Sequence, residues 1–317
     1  MFRTTVDVVM IKMRRRETKI CLVCSLVVLI GLLLLLRNNI SPSLPMGMIK
    51  KTLGYPSILY DCDTNHTDTD GAVRIPPTRA LEKMNHQELS CLYHSYTTNI
   101  QTLCRRMERL GNVEDGGWDV CIDSRFRPRK PCIVFSVGIN NDFTFDDAVN
   151  DKYICEVHSY DPSMGLNDHL HKPDMHFHAT GLASYNGKTA SGWRMRTLGF
   201  LRNESDSGLK RRPIDILKID IEGMEWGVIP EMIRSRSHIG IKQLYIEFHT
   251  HLFKNGKYIY ETTRDQYLTY LKILRQLHHA GFRIFWTHKN FACKFESIYG
   301  PHRVSCNELY FVQINQV

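Results

Sequence analysis

Polar side chains end two strands of the predicted sheet, with Asp220 and Glu222 directly after Ile214–Ile219. Glu247 and His249 close the next strand and, being two residues apart, share one face of it. Ligands bind beyond the carboxyl ends of parallel strands in open α/β sheets, so these four side chains should face a bound molecule. They can accept a proton from a hydroxyl group, or Asp220, Glu247 and His249 can bind a divalent cation, Mg²⁺ or Mn²⁺. The alternative is that Glu222 and Glu247 only form structural ion pairs or cap helices.

A glycine turn after another strand adds a second candidate site. Ser136, Gly138 and Asn140 lie where Cys132–Val137 ends, and Gly138 allows the backbone to approach a cofactor closely. Asp161 ends the following strand, about 23 residues later, where a carboxylate can accept hydrogen bonds from both ribose hydroxyls. This pattern is typical of nucleotide binding in a doubly wound sheet. The G-x-G-x-x-G pattern of nicotinamide enzymes is absent, because Gly138 is the only glycine of the turn.

The elements that must position these residues alternate between strand and helix from Pro131 onward, which predicts an α/β fold. The last two strands should pair antiparallel, because the roughly twenty residues between them show no crossover helix. This is the layout of the class I methyltransferase fold, a Rossmann-like seven-stranded sheet with a C-terminal antiparallel hairpin. The predicted strands are Cys132–Val137, Tyr153–Tyr160, Met175–Ala179, Ile214–Ile219, Ile241–Phe248, Phe282–Trp286 and Leu309–Ile314. The predicted helices are one that opens at Phe143–Val149, then Glu225–Arg234 and Gln266–His279.

An uninterrupted apolar run, Ile20–Leu36, precedes the fold. As a helix it would span about 25 Å, close to the roughly 27 Å hydrocarbon core of the endoplasmic reticulum membrane. Basic residues at 12–19 should keep the amino terminus in the cytosol. The chain is therefore expected to be a single-pass type II membrane protein with a lumenal catalytic domain in the Golgi or endoplasmic reticulum. The alternative is a cleaved signal peptide, which would make the protein secreted.

Cysteine usage agrees with an oxidising compartment, since eight cysteines lie beyond the apolar run without the spacing of a metal site. Cys293 and Cys306 sit at the inner ends of the last strand pair, so closure of that hairpin should join them in a disulfide. Sequons at Asn65 and Asn203 predict glycans on exposed loops. The net charge of +8 includes the basic cytosolic tail, and no nucleic-acid-binding signature is present.

Four blocks of this sequence resemble the FkbM-type methyltransferases in order and spacing: Cys132–Gly138, Tyr160–Pro162, Lys218–Glu225 and Tyr245–His249. The Lys-Ile-Asp-Ile-Glu-Gly run of the third block is the most specific. The resemblance covers about residues 113–317. It implies S-adenosylmethionine as cofactor and O-methylation of a sugar or another hydroxyl-bearing acceptor.

Matching positions in this family imply roles for the cofactor-binding residues. Gly138 and Asn140, after Ser136, should line the methionine moiety, and Asp161 should bind the ribose. The residues expected at the adenine edge are Gly181, Leu182 and Ala183.

The sequence departs from the family pattern at two positions. Ser136 replaces the acid that usually precedes the motif glycine by two residues, and Asp142 replaces a second glycine. A catalytically inactive pseudo-methyltransferase that binds a glycan or a protein partner is therefore the alternative. A lumenal glycosyltransferase is a third hypothesis, based on Asp61-Cys-Asp63, but no nucleotide-binding βαβ unit precedes that pair.

These observations divide the chain into five regions. The order is a cytosolic tail (1–19), a transmembrane signal anchor (20–36), a stem (37–76), a helical lead-in (77–112) and the methyltransferase domain (113–317).

Overall fold

A computed structural model of the protein describes residues 72–113, 115–204 and 212–315. The predicted cytosolic tail, the anchor at 20–36, Asn65 and Asp61–Asp63 lie outside the described residues. Within the described ranges, every helix is too short or too polar to cross a membrane. The described end of the predicted stem lies against the domain, because Val73 is buried in its core.

The bounds of the elements are as follows. The helices are α1 (Thr78–Leu81), α2 (His86–Tyr96), α3 (Thr144–Tyr153), α4 (Leu198–Glu204), α5 (Glu225–Arg234) and α6 (Arg264–His279), with a 3₁₀ turn at Phe291–Cys293. The strands are β1 (Met107–Leu110), β2 (Trp118–Cys121), β3 (Ile133–Val137), β4 (Glu156–Tyr160), β5 (His169–Lys172), β6 (Met175–His178), β7 (Thr180–Leu182), β8 (Gly187–Lys188), β9 (Arg194–Arg196), β10 (Ile214–Ile219), β11 (Ile241–His249), β12 (Leu252–Lys254), β13 (Lys257–Ile259), β14 (Phe282–Lys289), β15 (Lys294–Glu296), β16 (His302–Val304) and β17 (Cys306–Gln313).

The central sheet has eight strands in the order β14-β17-β11-β10-β3-β4-β6-β5. Strands β11, β10, β3, β4 and β6 are parallel, while β17 runs antiparallel between β11 and β14. This arrangement fits the class I methyltransferase fold, and the antiparallel pairing of the last two long strands is confirmed. The expected number of seven strands was wrong by one. Strand β5 pairs antiparallel with the outer edge of β6, and its largely exposed His-Leu-His-Lys sequence shows no buried-strand pattern.

Helices and a hairpin cover the two faces of this sheet. One face packs against α2, α5 and α6, whose inward residues include Tyr93, Trp226 and Leu271. The other face packs against α3 and the β1–β2 hairpin, with Phe145 and Trp118 in its core. Both faces are therefore buried, which explains why the central strands read as nearly continuous apolar runs.

The helical lead-in predicted at 77–112 is only partly helical. Helices α1 and α2 end by Tyr96, and Met107–Leu110 forms a strand that pairs with Trp118–Cys121. Leu103, which the helical pattern included, is 72% exposed. The prediction of helix there was wrong because the pairing partner of this segment lies beyond Gly111, outside the window that a helical period samples.

Three disulfides join described cysteines. Cys104–Cys121 ties the lead-in to strand β2, and Cys132–Cys155 links the starts of β3 and β4. Cys293–Cys306 closes the last hairpin, as expected from the sequence, with 5.6 Å between the two Cα atoms. The third disulfide fixes the beginning of β17, which pairs with the end of β11.

Candidate functional site

A cavity of about 370 Å³ opens at the carboxyl ends of β3, β4 and β10. Of the residues predicted from the sequence to bind a cofactor, those that line it are Gly138, Asn140, Asp161, Gly181 and Leu182. Asp220 and Glu222 line it as well. Ala183 does not: it is fully buried and its N–H donates to the carbonyl oxygen of Arg196 at 2.8 Å.

Gly138 borders this cavity and packs closely against the backbone of Asp220. Its φ is +73°, and a Cβ atom at this position would lie 1.6 Å from the carbonyl oxygen of Asp220. Its N–H donates to the carbonyl oxygen of Tyr160 at 2.8 Å. The turn therefore runs directly between the ends of the neighbouring strands, and only glycine fits there.

Asp161 holds the glycine turn in shape. One carboxylate oxygen accepts the N–H of Asn140 at 2.9 Å, and the other accepts the N–H and hydroxyl of Ser163 at 2.8 and 2.6 Å. Asn140 has a φ of +45°, so this hydrogen bond stabilises a left-handed residue. Because a carboxylate has about four acceptor sites, Asp161 keeps acceptor capacity toward the cavity that it borders.

A second cavity of about 300 Å³ adjoins the first and shares Gly138, Asn140 and Asp220 with it. It extends under the β1–β2 hairpin and is lined mainly by polar residues, among them Ser136, Asp142, Asp146, Lys218, Glu247 and Glu308. Asp220 thus stands where the two cavities meet.

The three acids predicted to be catalytic lie around the predicted catalytic histidine, His249. His249 Nε2 lies 3.9 Å from Asp220, 3.7 Å from Glu222 and 4.0 Å from Glu247, measured to a carboxylate oxygen in each case. Glu222 is the outermost, with 80% of its side chain exposed. Both glutamates lie near His249, and neither forms the expected ion pair with Lys218. The ammonium group of Lys218 donates instead to the carbonyl oxygen of Gly138 at 2.5 Å.

Glu225 is a fifth member of this cluster that sequence reasoning missed. It is fully buried in the first turn of α5, and its Oε1 accepts His249 Nδ1 at 3.1 Å and the N–H of Ile221 at 2.9 Å. A carboxylate on one ring nitrogen fixes the orientation of the imidazole and directs the other nitrogen toward Asp220. The available signal was its place in the most specific sequence block, three residues after Glu222.

The pKa values separate the roles of these groups. Burial raises the pKa of Asp220 to about 6, although Lys218 and His249 act to lower it. Burial and the charge of Asp220 raise the pKa of Glu247 to about 8. Burial lowers the pKa of His249, but the hydrogen bond and charge of Glu225 outweigh this effect and the pKa rises to about 9. Near neutral pH, Asp220 is therefore mainly ionised, Glu247 mainly protonated and His249 mainly cationic.

Trp193 and Met195 also border the first cavity, and sequence reasoning missed both. Trp193 precedes β9 and is 42% exposed, so an indole face is available for stacking on a planar ring. Strands β8 and β9 have two and three residues, too few to show an alternating pattern.

Comparison with known proteins shows to which family this chain belongs. A family model described as a methyltransferase domain matches residues 75–293. The chain belongs to this methyltransferase family. The methyltransferase relationship expected from the sequence is thereby confirmed. The match begins at residue 75, at the end of the predicted stem, and includes the whole lead-in, which belongs to the folded domain.

Two curated relatives of this methyltransferase bear the name probable methyltransferase-like protein 24. The Rattus norvegicus protein is 27% identical over 229 residues, which are 68% of this chain and 60% of the relative. The Homo sapiens protein is 26% identical over 210 residues, which are 62% of this chain and 56% of the relative. The match thus spans less than two thirds of the length of either relative. No solved structure matches this methyltransferase.

S-adenosylmethionine is the usual cofactor of methyltransferase domains, and the site fits it. The Gly138 turn borders both cavities, and the two adjoining cavities offer room for the two ends of an elongated molecule. Trp193, Asp161 and Gly181 border the cavity suited to the adenosine. Ser136, Asn140 and Lys218 border the cavity suited to the amino acid.

Proposed function

We propose that this methyltransferase uses S-adenosylmethionine to O-methylate a hydroxyl group of a glycan or of a secreted small molecule. The observation that carries the proposal is the position of Asp220. Its carboxylate borders both cavities, and its pKa of about 6 leaves it ionised near neutral pH yet basic enough to take a proton.

The reaction requires little covalent work from the protein. S-adenosylmethionine supplies a methyl group on a sulfonium that leaves as a neutral thioether. Asp220 would accept the proton of the acceptor hydroxyl group while the oxygen of that hydroxyl group receives the methyl group. The neighbouring His249, cationic and oriented by Glu225, stabilises the ionised form of Asp220 beforehand. The remaining task of the site is alignment of the acceptor, which contributes strongly to the rates of such reactions.

A divalent cation, Mg²⁺ or Mn²⁺, at Asp220, Glu247 and His249 is the alternative form of the same chemistry. Two ligand atoms that share an ion at about 2.1 Å are roughly 3.0–4.2 Å apart, depending on the angle between them. The distances of 3.9 and 4.0 Å from His249 Nε2 to the two carboxylates fall near the upper end of this range. Asp220 and His249 form a set of possible ligands with Glu225, whereas Glu247 groups with His249 and the disulfide-bonded Cys306. An ion here would polarise the acceptor hydroxyl, and its binding would displace the proton of His249.

We further propose that this methyltransferase acts in the secretory pathway. The apolar segment 20–36 would anchor the chain in the membrane, with the catalytic domain in the lumen of the Golgi or endoplasmic reticulum. Three disulfides among the described cysteines support an oxidising compartment. The acceptor would then be a lumenal hydroxyl compound, and no nucleic acid would be involved.

The inactive pseudo-methyltransferase is retained as the second hypothesis because of Asp142. Where the family has a glycine, its carboxylate accepts hydrogen bonds from Asn112 Nδ2 at 2.9 Å and from the N–H of Thr144 at 2.8 Å. The side chain thereby ties the lead-in loop to the start of α3, beside the second cavity. If these hydrogen bonds keep the second cavity closed to a cofactor, the domain would bind a partner without catalysing methyl transfer.

Calorimetry on the purified full-length chain tests the proposal. Binding of S-adenosylhomocysteine, without binding of uridine diphosphate, is the expected result. Binding of uridine diphosphate alone would support the glycosyltransferase hypothesis, and binding of neither ligand at millimolar concentration would support the pseudo-enzyme. Addition of a chelator to an active preparation then separates the two forms of chemistry. Activity that is lost and returns with Mg²⁺ or Mn²⁺ shows a metal, and unchanged activity shows a simple base.

A further inference from the structure

A buried carboxylate lies behind the glycine turn, on a residue that no sequence motif marks. Asp146 is in the first turn of α3 and is 1% exposed. Its Oδ2 accepts the hydroxyl of Ser159 at 2.6 Å. It lines the second cavity together with Ser136, Gly138 and Asn140.

The other oxygen of this carboxylate has no partner. Among the described residues, neither Asp146 Oδ1 nor the Ser136 hydroxyl has a partner in good hydrogen-bond geometry, although the Ser136 hydroxyl lies near enough to Asp146 to lower the pKa of its carboxyl group. The nearest cation, Lys218, directs its ammonium group to the carbonyl oxygen of Gly138 and lies over the ring of Trp118. Burying a carboxylate with only one of its two oxygens hydrogen-bonded is unfavourable in free energy. The arrangement is therefore suited to a ligand that carries a cationic group.

We propose that Asp146, with Ser136, binds the α-ammonium group of the methionine moiety of S-adenosylmethionine. The inference rests on the proposed function, since it takes that molecule as the cofactor. It accounts for the serine at position 136, where related methyltransferases carry an acid. A carboxylate at 136 would lie beside Asp146, and two buried like charges would repel each other. In this chain the carboxylate stands on the facing helix, and Ser136 on the strand provides a hydroxyl that can accept from the ammonium group.

The chemistry of the pocket selects an ammonium group rather than a metal ion. Beside Asp146, the buried groups without a partner are one carboxylate oxygen and one neutral hydroxyl, too few for the six or more oxygen ligands of a hard cation. An ammonium group needs only a few acceptors around it, and the turn at Gly138 and Asn140 lines the same cavity. Burial raises the pKa of Asp146 despite the opposing effect of the Ser159 and Ser136 hydroxyls, and a bound ammonium group would lower this pKa and favour the ionised form.

The test compares two ligands that differ only in this group. Calorimetry on the full-length chain would use S-adenosylhomocysteine and its analogue with hydrogen in place of the α-amino group. Wild-type protein should bind S-adenosylhomocysteine about tenfold or more tightly than the analogue, the scale of a lost hydrogen bond to a charged group. In Asp146→Asn, which keeps the shape and can still accept from Ser159, the two affinities should come within about threefold of each other.

Asp147→Asn is the matched control. It removes the neighbouring carboxylate of α3, which instead pairs with Lys172 at 2.9 Å and lines neither of the two cavities. It should keep the wild-type ratio. A folded Asp146→Asn protein with the wild-type ratio overturns the inference. So does wild-type protein with equal affinity for both ligands, a result that needs no variant. Wild-type protein that binds neither ligand overturns the proposed function itself, and the two failures are thus distinct.

Discussion

At the scale of single residues, the site depends on one carboxylate that stands between two cavities. Asp220 ends β10, and the neighbouring His249 is held by the buried Glu225. These contacts leave Asp220 partly exposed, with 28% of its side chain accessible, so an acceptor can reach it. Substitutions of Asp220 and Asp161 should separate the two roles, with Asp220 acting in catalysis and Asp161 in cofactor binding.

Asp220→Asn should lower the rate of methyl transfer by about 10²–10⁴-fold, the usual loss when a positioned base is removed. Cofactor affinity should change little, because the substitution keeps the shape and Asp220 acts on the acceptor. Turnover is measured with an identified acceptor, and S-adenosylhomocysteine binding and thermal unfolding serve as controls. A variant with near-normal turnover would show that Asp220 has a structural role.

The pH dependence of the rate should follow the same group. Since the pKa of Asp220 is raised to about 6, its basic form is present above this pH and is lost below it. The rate should therefore rise with pH through about 6, and Asp220→Asn should lack this limb. The measurement is kcat/KM across the acid range in both proteins. A wild-type profile that is flat through pH 6 would contradict the assignment of the base.

Asp161→Ala should weaken cofactor binding by about 1–3 kcal/mol, the scale of losing hydrogen bonds to a charged group. It should also lower stability, because its carboxylate holds the N–H groups of Asn140 and Ser163. Calorimetry with S-adenosylhomocysteine gives the first quantity and chemical denaturation the second. Unchanged affinity in a folded variant would remove Asp161 from the ribose site.

At the scale of elements, the last hairpin supports the catalytic end of β11. Cys306 begins β17 and pairs with His249, while Cys293 ends the short 3₁₀ turn before β15. The disulfide between them adds a covalent closure to hydrogen bonds that already join the two segments, such as that from the N–H of Ser305 to the carbonyl oxygen of Cys293 at 3.1 Å.

Replacing both Cys293 and Cys306 with serine should lower the free energy of unfolding by roughly 3 kcal/mol, the loop-entropy value for a ring of this length. Denaturation with and without the disulfide gives the difference. Non-reducing peptide mapping of the wild-type protein tests the pairing itself. Finding either cysteine free, or joined to another partner, would refute it.

At the scale of the whole molecule, the proposed lumenal location of the domain can be tested through glycosylation. Asn203 is exposed, but it lies in α4 and not in the loop that its sequon suggested. A glycan there would extend from the surface without disturbing the core. Asn65 lies outside the described residues and offers a second acceptor.

Protein from cells should carry glycans on both asparagines if the domain is lumenal. Glycosidase treatment should increase its mobility on a gel, and Asn65→Gln and Asn203→Gln should each remove one step. Protein that glycosidase does not shift, and whose mobility neither substitution changes, would mean that the domain faces the cytosol.

The sequence by itself determined the elements whose burial is uniform or periodic. Ile214–Ile219 and Glu225–Arg234 have the predicted bounds, because a strand between two layers is continuously apolar and a packed helix shows one apolar stripe. The turn glycine was also readable, since Gly138 is required where two strand ends meet. The order of these elements, with the final hairpin, was sufficient for the fold class.

Tertiary structure decided what depends on pairs of distant residues. The β1–β2 pairing, the hydrogen bond from His249 to Glu225 and the cavity position of Trp193 leave no periodic signal, because each requires two segments to meet in space. The unbonded carboxylate oxygen of Asp146 likewise depends on segments that meet only in the folded protein. One acidic residue in a helix looks like any other in sequence. Only the packing of α3 against β3 and β4 buries this one beside a cavity and leaves half of its carboxylate without a partner.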